Sequence, residues 1–281
     1  MYLRCRKTTP KGHDMFLTYL HQLRAKGKYY FTFDQICTDL NLSLNSAKSG
    51  LYRLKRQGHI ITPAKGLYVI VPPEYQSFGC IPEEDLVPIL MQYLQADYYV
   101  GLLSAGLYHG ATHQKPGSFQ VVSSKRFKHP LQFKQIKIDI LYKKSLAHLP
   151  TQTKVAKTGY LTIASPELVI LDLFLYPTKS GGLNHTATVL YEIAPILEIE
   201  KLLRLAEIVG EKAWLQRLGY LLETVGSPEP KHTHLLIEQL AQYLEGKLKG
   251  FIALAPELAT KGCPRLKKWM LIINTEIESD L

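Results

Sequence analysis

Cysteine is scarce in this chain: four in 281 residues, at Cys5, Cys37, Cys80 and Cys263, with no C-x-x-C pair. That excludes a disulfide framework and offers neither a zinc-binding nor a thioredoxin-type motif. Long apolar runs are missing too. Tyr98–Tyr108 and Leu168–Tyr176 are the longest nearly apolar stretches, well short of the ~18–20 residues a membrane span needs. The basic start, Met1 to Lys7, leads into no apolar h-region, so no secretory signal is expected and the expected location is cytoplasmic, with no membrane partner. No phosphate-binding G-x-x-x-x-G-K-[ST] and no G-x-S-x-G nucleophile elbow occurs. What remains, at 46% hydrophobic and 21% charged residues, is a globular composition rather than a disordered one.

Charge of one sign is absent in two places. None of the 34 Lys and Arg residues lies between 76 and 114, and no Asp or Glu occurs from Ser43 to Gln57. The net charge of +10 is therefore blocked: +8 over residues 1–75, −4 over 76–114, +9 over 115–157 and −3 over 158–281. Clustered positive charge is the electrostatic footprint of a nucleic-acid binder, although a solvated basic surface gives the same count.

Residues 1–75 read as a helix-turn-helix followed by a wing. Met15, Phe16, Tyr19, Leu20 and Leu23 recur at helical spacing, and Gly27 ends that segment. Thr32 can cap a short second helix, Asn41 closes it, and Ser43 can cap a third that stops at Gly58. At 100° per residue, Ala47, Leu51 and Leu54 form the stripe of the third helix that packs inward, with Leu44 beside it. The opposite face collects Asn45, Ser49, Tyr52, Arg53 and Arg56, with Ser46 at its edge. An amide, hydroxyls and guanidinium groups are what reach base edges and phosphates in a major groove. Ile60–Thr62 and Leu67–Ile70 then read as two strands of a wing, with Lys65 at its tip, placed for a phosphate or the minor groove. A winged helix used for protein docking is the alternative to DNA binding.

The remainder reads as a larger mixed α/β domain, so the fold class expected is α+β: a winged helix-turn-helix over 1–75, a proline-bearing linker over 76–82 and a C-terminal domain over 83–281. A helix is expected from Pro82 to about Ala96 and another from about Val100 to His109. Phe119–Val122, Leu131–Tyr142 and Tyr160–Ile163 should be strands, with Ile136, Ile138 and Ile140 on one face and Lys137 and Asp139 on the other. Ser165-Pro166 starts a helix with a buried stripe of Leu168, Leu171 and Leu175. Helices dominate from Leu183 to about Glu245, and Trp269–Ile277 is expected as a final strand paired into the earlier sheet.

Motifs for catalysis or metal binding are thin. His109 and His113 share a helical spacing, but a hydrogen-bonded structural role is the simpler reading. His232 and His234 read as capping or exposed residues, and Ser180-Gly-Gly182 as a turn. Asp139 is a lone strand carboxylate, without the cluster that metal-dependent nucleotidyl transfer requires. No catalytic residue, metal or cofactor is expected. The second basic block, represented by Lys125, Arg126, Lys128, Lys134 and Lys137, suits either a second nucleic-acid contact or a docking face for an acidic protein.

Six stretches in order resemble one family: Gly66–Tyr75 (GLYVIVPPEY), Tyr98–Pro116, Ala164–Leu173 (ASPELVILDL), Ser180–Gly182, Arg217–Glu223 (RLGYLLE) and Lys268–Asn274 (KWMLIIN). The combination is similar to the AbiEi-type antitoxins of type IV, abortive-infection toxin–antitoxin systems. The resemblance implies an N-terminal winged helix that represses the protein's own operon by binding inverted repeats in double-stranded promoter DNA. It also implies a C-terminal antitoxin domain that counteracts a cognate AbiEii-type nucleotidyltransferase toxin, with direct contact between the two left open. On this sequence the DNA-reading role falls on Asn45, Ser46, Ser49, Tyr52, Arg53, Arg56 and Lys65, and no neutralising residue transfers. The alternatives are a winged-helix regulator whose C-terminal domain senses a ligand or partner without a toxin, and an enzyme acting on nucleic acid or on the toxin.

Overall fold

A computed structural model describes residues 12–111 and 116–278. It is an α+β protein. Its helices are α1 (Gly12–Ala25), α2 (Phe33–Asp39), α3 (Leu44–Arg56), α4 (Glu83–Leu94), α5 (Leu102–Tyr108), α6 (Pro166–Leu175), α7 (Gly182–Ile193), α8 (Ile199–Val209), α9 (Ala213–Val225) and α10 (Pro230–Leu244). Its strands are β1 (Tyr30–Thr32), β2 (Ile60–Ala64), β3 (Leu67–Ile70), β4 (Tyr98–Val100), β5 (Phe119–Ser123), β6 (Leu131–Phe133), β7 (Ile136–Tyr142), β8 (Thr151–Ala156), β9 (Gly159–Ala164), β10 (Ile252–Ala253), β11 (Arg265–Leu266) and β12 (Leu271–Ile272). They form sheets of order β1-β3-β2, β6-β7-β5-β4-β9-β8 and β10-β12-β11.

Two compact units emerge. Of the described residues, the first comprises 12–97, 128–139 and 155–161; the second comprises 98–111, 116–127, 140–154 and 162–278. This division differs from a cut at 75/76. Residues 71–82 are packed rather than extended, with Val71, Cys80 and Ile81 buried, and α4 clusters with the helices before it. Burial pushes the Cys80 thiol up to about 12, helped by the nearby Glu83 carboxylate.

In the first unit, capping sets the helix boundaries. Thr32 accepts from Gln35 N while Gln35 Oε1 accepts from Thr32 N, a reciprocal capping box that starts α2. Ser43 caps α3 through Ser46 N. Tyr19 donates to Asp39 Oδ2 at 2.8 Å, tying α1 to the end of α2. Phe16, Leu20, Phe31, Ile36, Leu51, Leu54, Ile60 and Ile70 make one core. β1 is an element too short to leave a periodic signal; it pairs antiparallel with β3 through Phe31↔Tyr68, and β2 pairs with the other edge of β3. Leu44, the first residue of α3, departs from expectation: it is 63% exposed.

A close approach in this core is invisible to periodicity. Gly50 faces Phe16 so tightly that a Cβ there would lie 2.0 Å from Phe16 Cζ. Gly50→Ala should therefore destabilise the unit by about 1–3 kcal/mol through overpacking, despite the better helix propensity of alanine. Protection of the Cys80 thiol against alkylation measures this; unchanged protection would show that the Phe16 ring moves aside freely.

In the second unit, β4 pairs antiparallel with β5 (Tyr99↔Val122) and parallel with β9 (Val100↔Ile163). Ser165 caps α6 with Pro166 in its first turn. Residues 166–173 are buried all round rather than along one stripe, because α5, α7, α8 and α9 all pack on this helix. Leu131–Tyr142 is two strands, β6 and β7, reversing at Lys134 with φ +49, and Asp139 is buried rather than solvent-facing like Lys137. The expected final strand is also corrected. Only Leu271–Ile272 is strand, in the small sheet β10-β12-β11 and not in the larger one, because Trp269 is committed to α9.

Candidate nucleic-acid interface

α3 and the β2–β3 hairpin position every residue expected to read DNA. Ala47, Gly50, Leu51 and Leu54 are buried, which turns Asn45, Ser46, Ser49, Tyr52, Arg53 and Arg56 outward, all exposed; Lys48 and Lys55 are exposed as well. Tyr52 is 67% exposed, a high value for an aromatic side chain. Ser46 is partly committed to the helix start: its N–H and its Oγ both contact Ser43 Oγ, at 3.3 and 2.9 Å. The last turn of α3 carries Arg53, Lys55 and Arg56. Lys65 is exposed at the hairpin tip. A helix preceded by a short helix and a turn, then followed by an antiparallel hairpin, is an arrangement that fits a winged helix.

The second basic block is exposed but divided. Lys128, Lys134 and Lys137 belong to the first unit, Lys125 and Arg126 to the second. Lys134 Nζ donates to the Gln76 carbonyl at 2.9 Å and its stem lies against Gly79, so this cation has a structural task. The Arg126 guanidinium sits 4.1 Å above the Tyr142 ring.

Two of the histidines singled out above have structural partners. His109 Nε2 hydrogen-bonds the Ala164 carbonyl at 2.7 Å, and His232 Nε2 the Leu197 carbonyl at 3.0 Å. His234 is exposed and lies 3.2 Å from Glu238. His113 lies outside the described residues. No group of three or more potential metal ligands occurs among the described residues. Ser180 is buried, and its hydroxyl donates to the Leu173 and Tyr176 carbonyls at the end of α6, so Ser180-Gly-Gly182 is a helix-connecting turn.

One titratable cluster had no sequence signal. Asp172, fully buried on α6, accepts from the Tyr99 hydroxyl at 3.1 Å and lies 3.4 Å from Lys143 Nζ, both on Oδ1. Oδ2 has no hydrogen-bond partner among the described residues. Burial drives the carboxyl up to about 6, against the opposing pull of the Lys143 ammonium and the Tyr99 hydroxyl. The same burial, with Asp172 beside it, raises the Tyr99 hydroxyl.

Residues 99–224 match the family model of the AbiEi antitoxin C-terminal domain. No curated protein matches the chain. Among solved structures, the chain is similar in fold to the RV2827C protein from Mycobacterium tuberculosis, with a TM-score of 0.61 over 94% of this chain and 92% of that one at 16% identity. No described helix is long and apolar enough to cross a membrane. The segment 99–224, with β4 and the α5–α9 array within it, is thus similar to the C-terminal domain of the AbiEi-type antitoxin family.

Proposed function

We propose that this protein is an antitoxin and a DNA-binding autorepressor, reading inverted repeats of its own promoter through α3 and the β2–β3 wing, and neutralising a co-transcribed nucleotidyltransferase toxin through the C-terminal part of the chain. The observation that carries the DNA half is the outer face of α3: Asn45, Ser49, Tyr52, Arg53 and Arg56 all exposed, in a helix without a carboxylate. An acid-free helix face of amide, hydroxyl and guanidinium groups matches a major groove in shape and in sign. Ser46 supports the helix start and Lys65 supplies a cation on the wing. The antitoxin half is carried by the family match over 99–224, and no catalytic residue is assigned to it.

Duplex DNA from immediately upstream of the coding sequence should bind with an affinity that falls steeply as salt rises, because phosphate neutralisation releases counterions. Arg53→Ala should cost about 1–3 kcal/mol on that duplex if the guanidinium pairs with a base edge, and much less on unrelated duplex. Fluorescence anisotropy across a salt series measures both. Salt-independent binding would defeat the charge argument, and an unchanged Arg53→Ala variant would remove that residue from the interface. Growth rescue on co-expression with the neighbouring gene product tests neutralisation; no rescue would leave a regulator without a toxin.

A further inference from the structure

The tip of the wing has little to hold it in place by itself. Its two-residue turn, Lys65-Gly66, has a positive φ at Gly66 only (+83). Hairpin turns whose twist matches the strands need a positive φ at the first central residue, or at both. The strand register also shifts between Ile61 and Ala64, where Pro63 supplies no N–H, leaving Ala64↔Leu67 as the pair that closes the turn. Yet both carbonyls of the tip are held from outside the hairpin. Gly66 O accepts from Phe33 N at 3.1 Å, at the start of α2. Lys65 O accepts from the Tyr93 hydroxyl at 2.9 Å, at the end of α4. Gly66 is shaped for this contact: a Cβ there would lie 2.8 Å from Tyr93 Oη.

α4 is itself anchored within the first unit. Asp85 Oδ1 accepts from Lys157 N at 2.9 Å, its carbonyl accepts from Thr158 Oγ1 at 2.6 Å, and Leu86, Ile89 and Leu90 are buried. Tyr93 therefore projects from a fixed helix, 36% exposed, onto a turn whose one long side chain, Lys65, is free to extend outward.

We propose that Tyr93 is a positioning residue for DNA binding: by holding the Lys65 carbonyl it fixes the wing tip, so that the Lys65 ammonium meets the nucleic-acid backbone without a further cost of ordering the turn itself. The inference rests on the reading of α3 and the wing as a DNA-contacting surface. It also makes α4 part of the DNA-reading unit.

A double-mutant cycle on the full chain tests it, with anisotropy on the upstream duplex and a thermal melt of each variant. Lys65→Ala should weaken binding and reduce the salt slope by about one. Tyr93→Phe, which keeps the ring and loses the hydroxyl, should weaken binding about two- to tenfold, the equivalent of one hydrogen bond, with a melt close to wild type. In the Lys65→Ala background, Tyr93→Phe should cost nothing more, because the cation it positions is gone. Wild-type affinity for Tyr93→Phe would overturn the proposal. So would a Tyr93→Phe loss that adds in full to that of Lys65→Ala, the mark of a merely structural role. Failure of the underlying DNA reading has a different signature: Arg53→Ala and Lys65→Ala would both be silent as well.

Discussion

Trp269→Ala should cost the second unit about 3–5 kcal/mol, the loss typical of deleting a fully buried indole. Trp269 is 0% exposed, and its ring packs against Gly219 of α9, where a Cβ would come within 2.2 Å of Cζ3. Its Nε1 donates to Glu223 Oε2 at 2.7 Å, and Lys268 Nζ pairs with the other oxygen of that carboxylate. The contact is one part of a seam. Gln216 donates to the Trp269 carbonyl at 2.8 Å, and Arg217 to the Ala253 and Leu254 carbonyls at 3.1–3.2 Å. The strands joined to it, β10, β11 and β12, have two residues each, too few to persist unless packed against another element. Removing the indole should thus release residues 250–275 from α9, visible as faster trypsin cleavage at Lys261 and Lys267. Trp214, buried in α9, remains as the fluorescence reporter of urea unfolding. Trp269→Phe should lose far less, since it forfeits mainly one hydrogen bond of about 1 kcal/mol. A Trp269→Ala protein with wild-type midpoint and cleavage would mean that the seam does not hold the C-terminal sheet.

The second large effect is a pH dependence with an unusual sign. Asp172 has an unfolded pKa of about 3.9 and about 6 when folded. Between those values the folded state holds the extra proton, so stability contributed by this group is fully present below pH 4 and is lost as pH rises through 6. About two pKa steps correspond to about 3 kcal/mol, the usual 1.36 kcal/mol for each. Asp172→Asn keeps the shape and an acceptor for Tyr99 and carries no charge to desolvate. Tryptophan emission reports this unit alone, as Trp214 and Trp269 both lie in it. The unfolding free energies of wild type and Asp172→Asn should converge near pH 4 and separate in favour of the variant by pH 7.5. Asp85, whose carboxyl is also raised by burial, lies in the other unit and is common to both proteins, so it drops out of the difference. A gap that stays constant with pH would show that Asp172 keeps an ordinary carboxyl pKa. The Lys143 ammonium 3.4 Å away softens the burial cost without abolishing it, since Oδ2 has no partner among the described residues.

What the sequence made legible was whatever follows from local chemistry. Thr32, Ser43 and Ser165 cap helices as their side chains predict, and the outward face of α3 follows from Ala47, Leu51 and Leu54 alone. Contacts between distant residues left no such trace. Gly50 and Gly219 look like weak points in helices until Phe16 and Trp269 are seen lying on them. The stretches Arg217–Glu223 and Lys268–Asn274, each unremarkable by itself, prove to be two sides of one seam. β8 was missed because residues 151–155 are all exposed, which erases the alternation that marks a strand. Of the candidate interface, the exposure of the α3 residues was readable; the hydrogen bond from Tyr93 to the wing was not, since 28 positions separate it from Lys65.

The all-round burial of α6 bears on how the chain is made. Its ten residues expose no polar face, and the last helix that covers them, α9, ends at Val225. About 50 further residues must leave the ribosome before that cover exists, roughly 3–10 s at ordinary elongation rates. During that interval the apolar segment Leu168–Leu173 of the nascent chain lacks the cover it has in the folded protein.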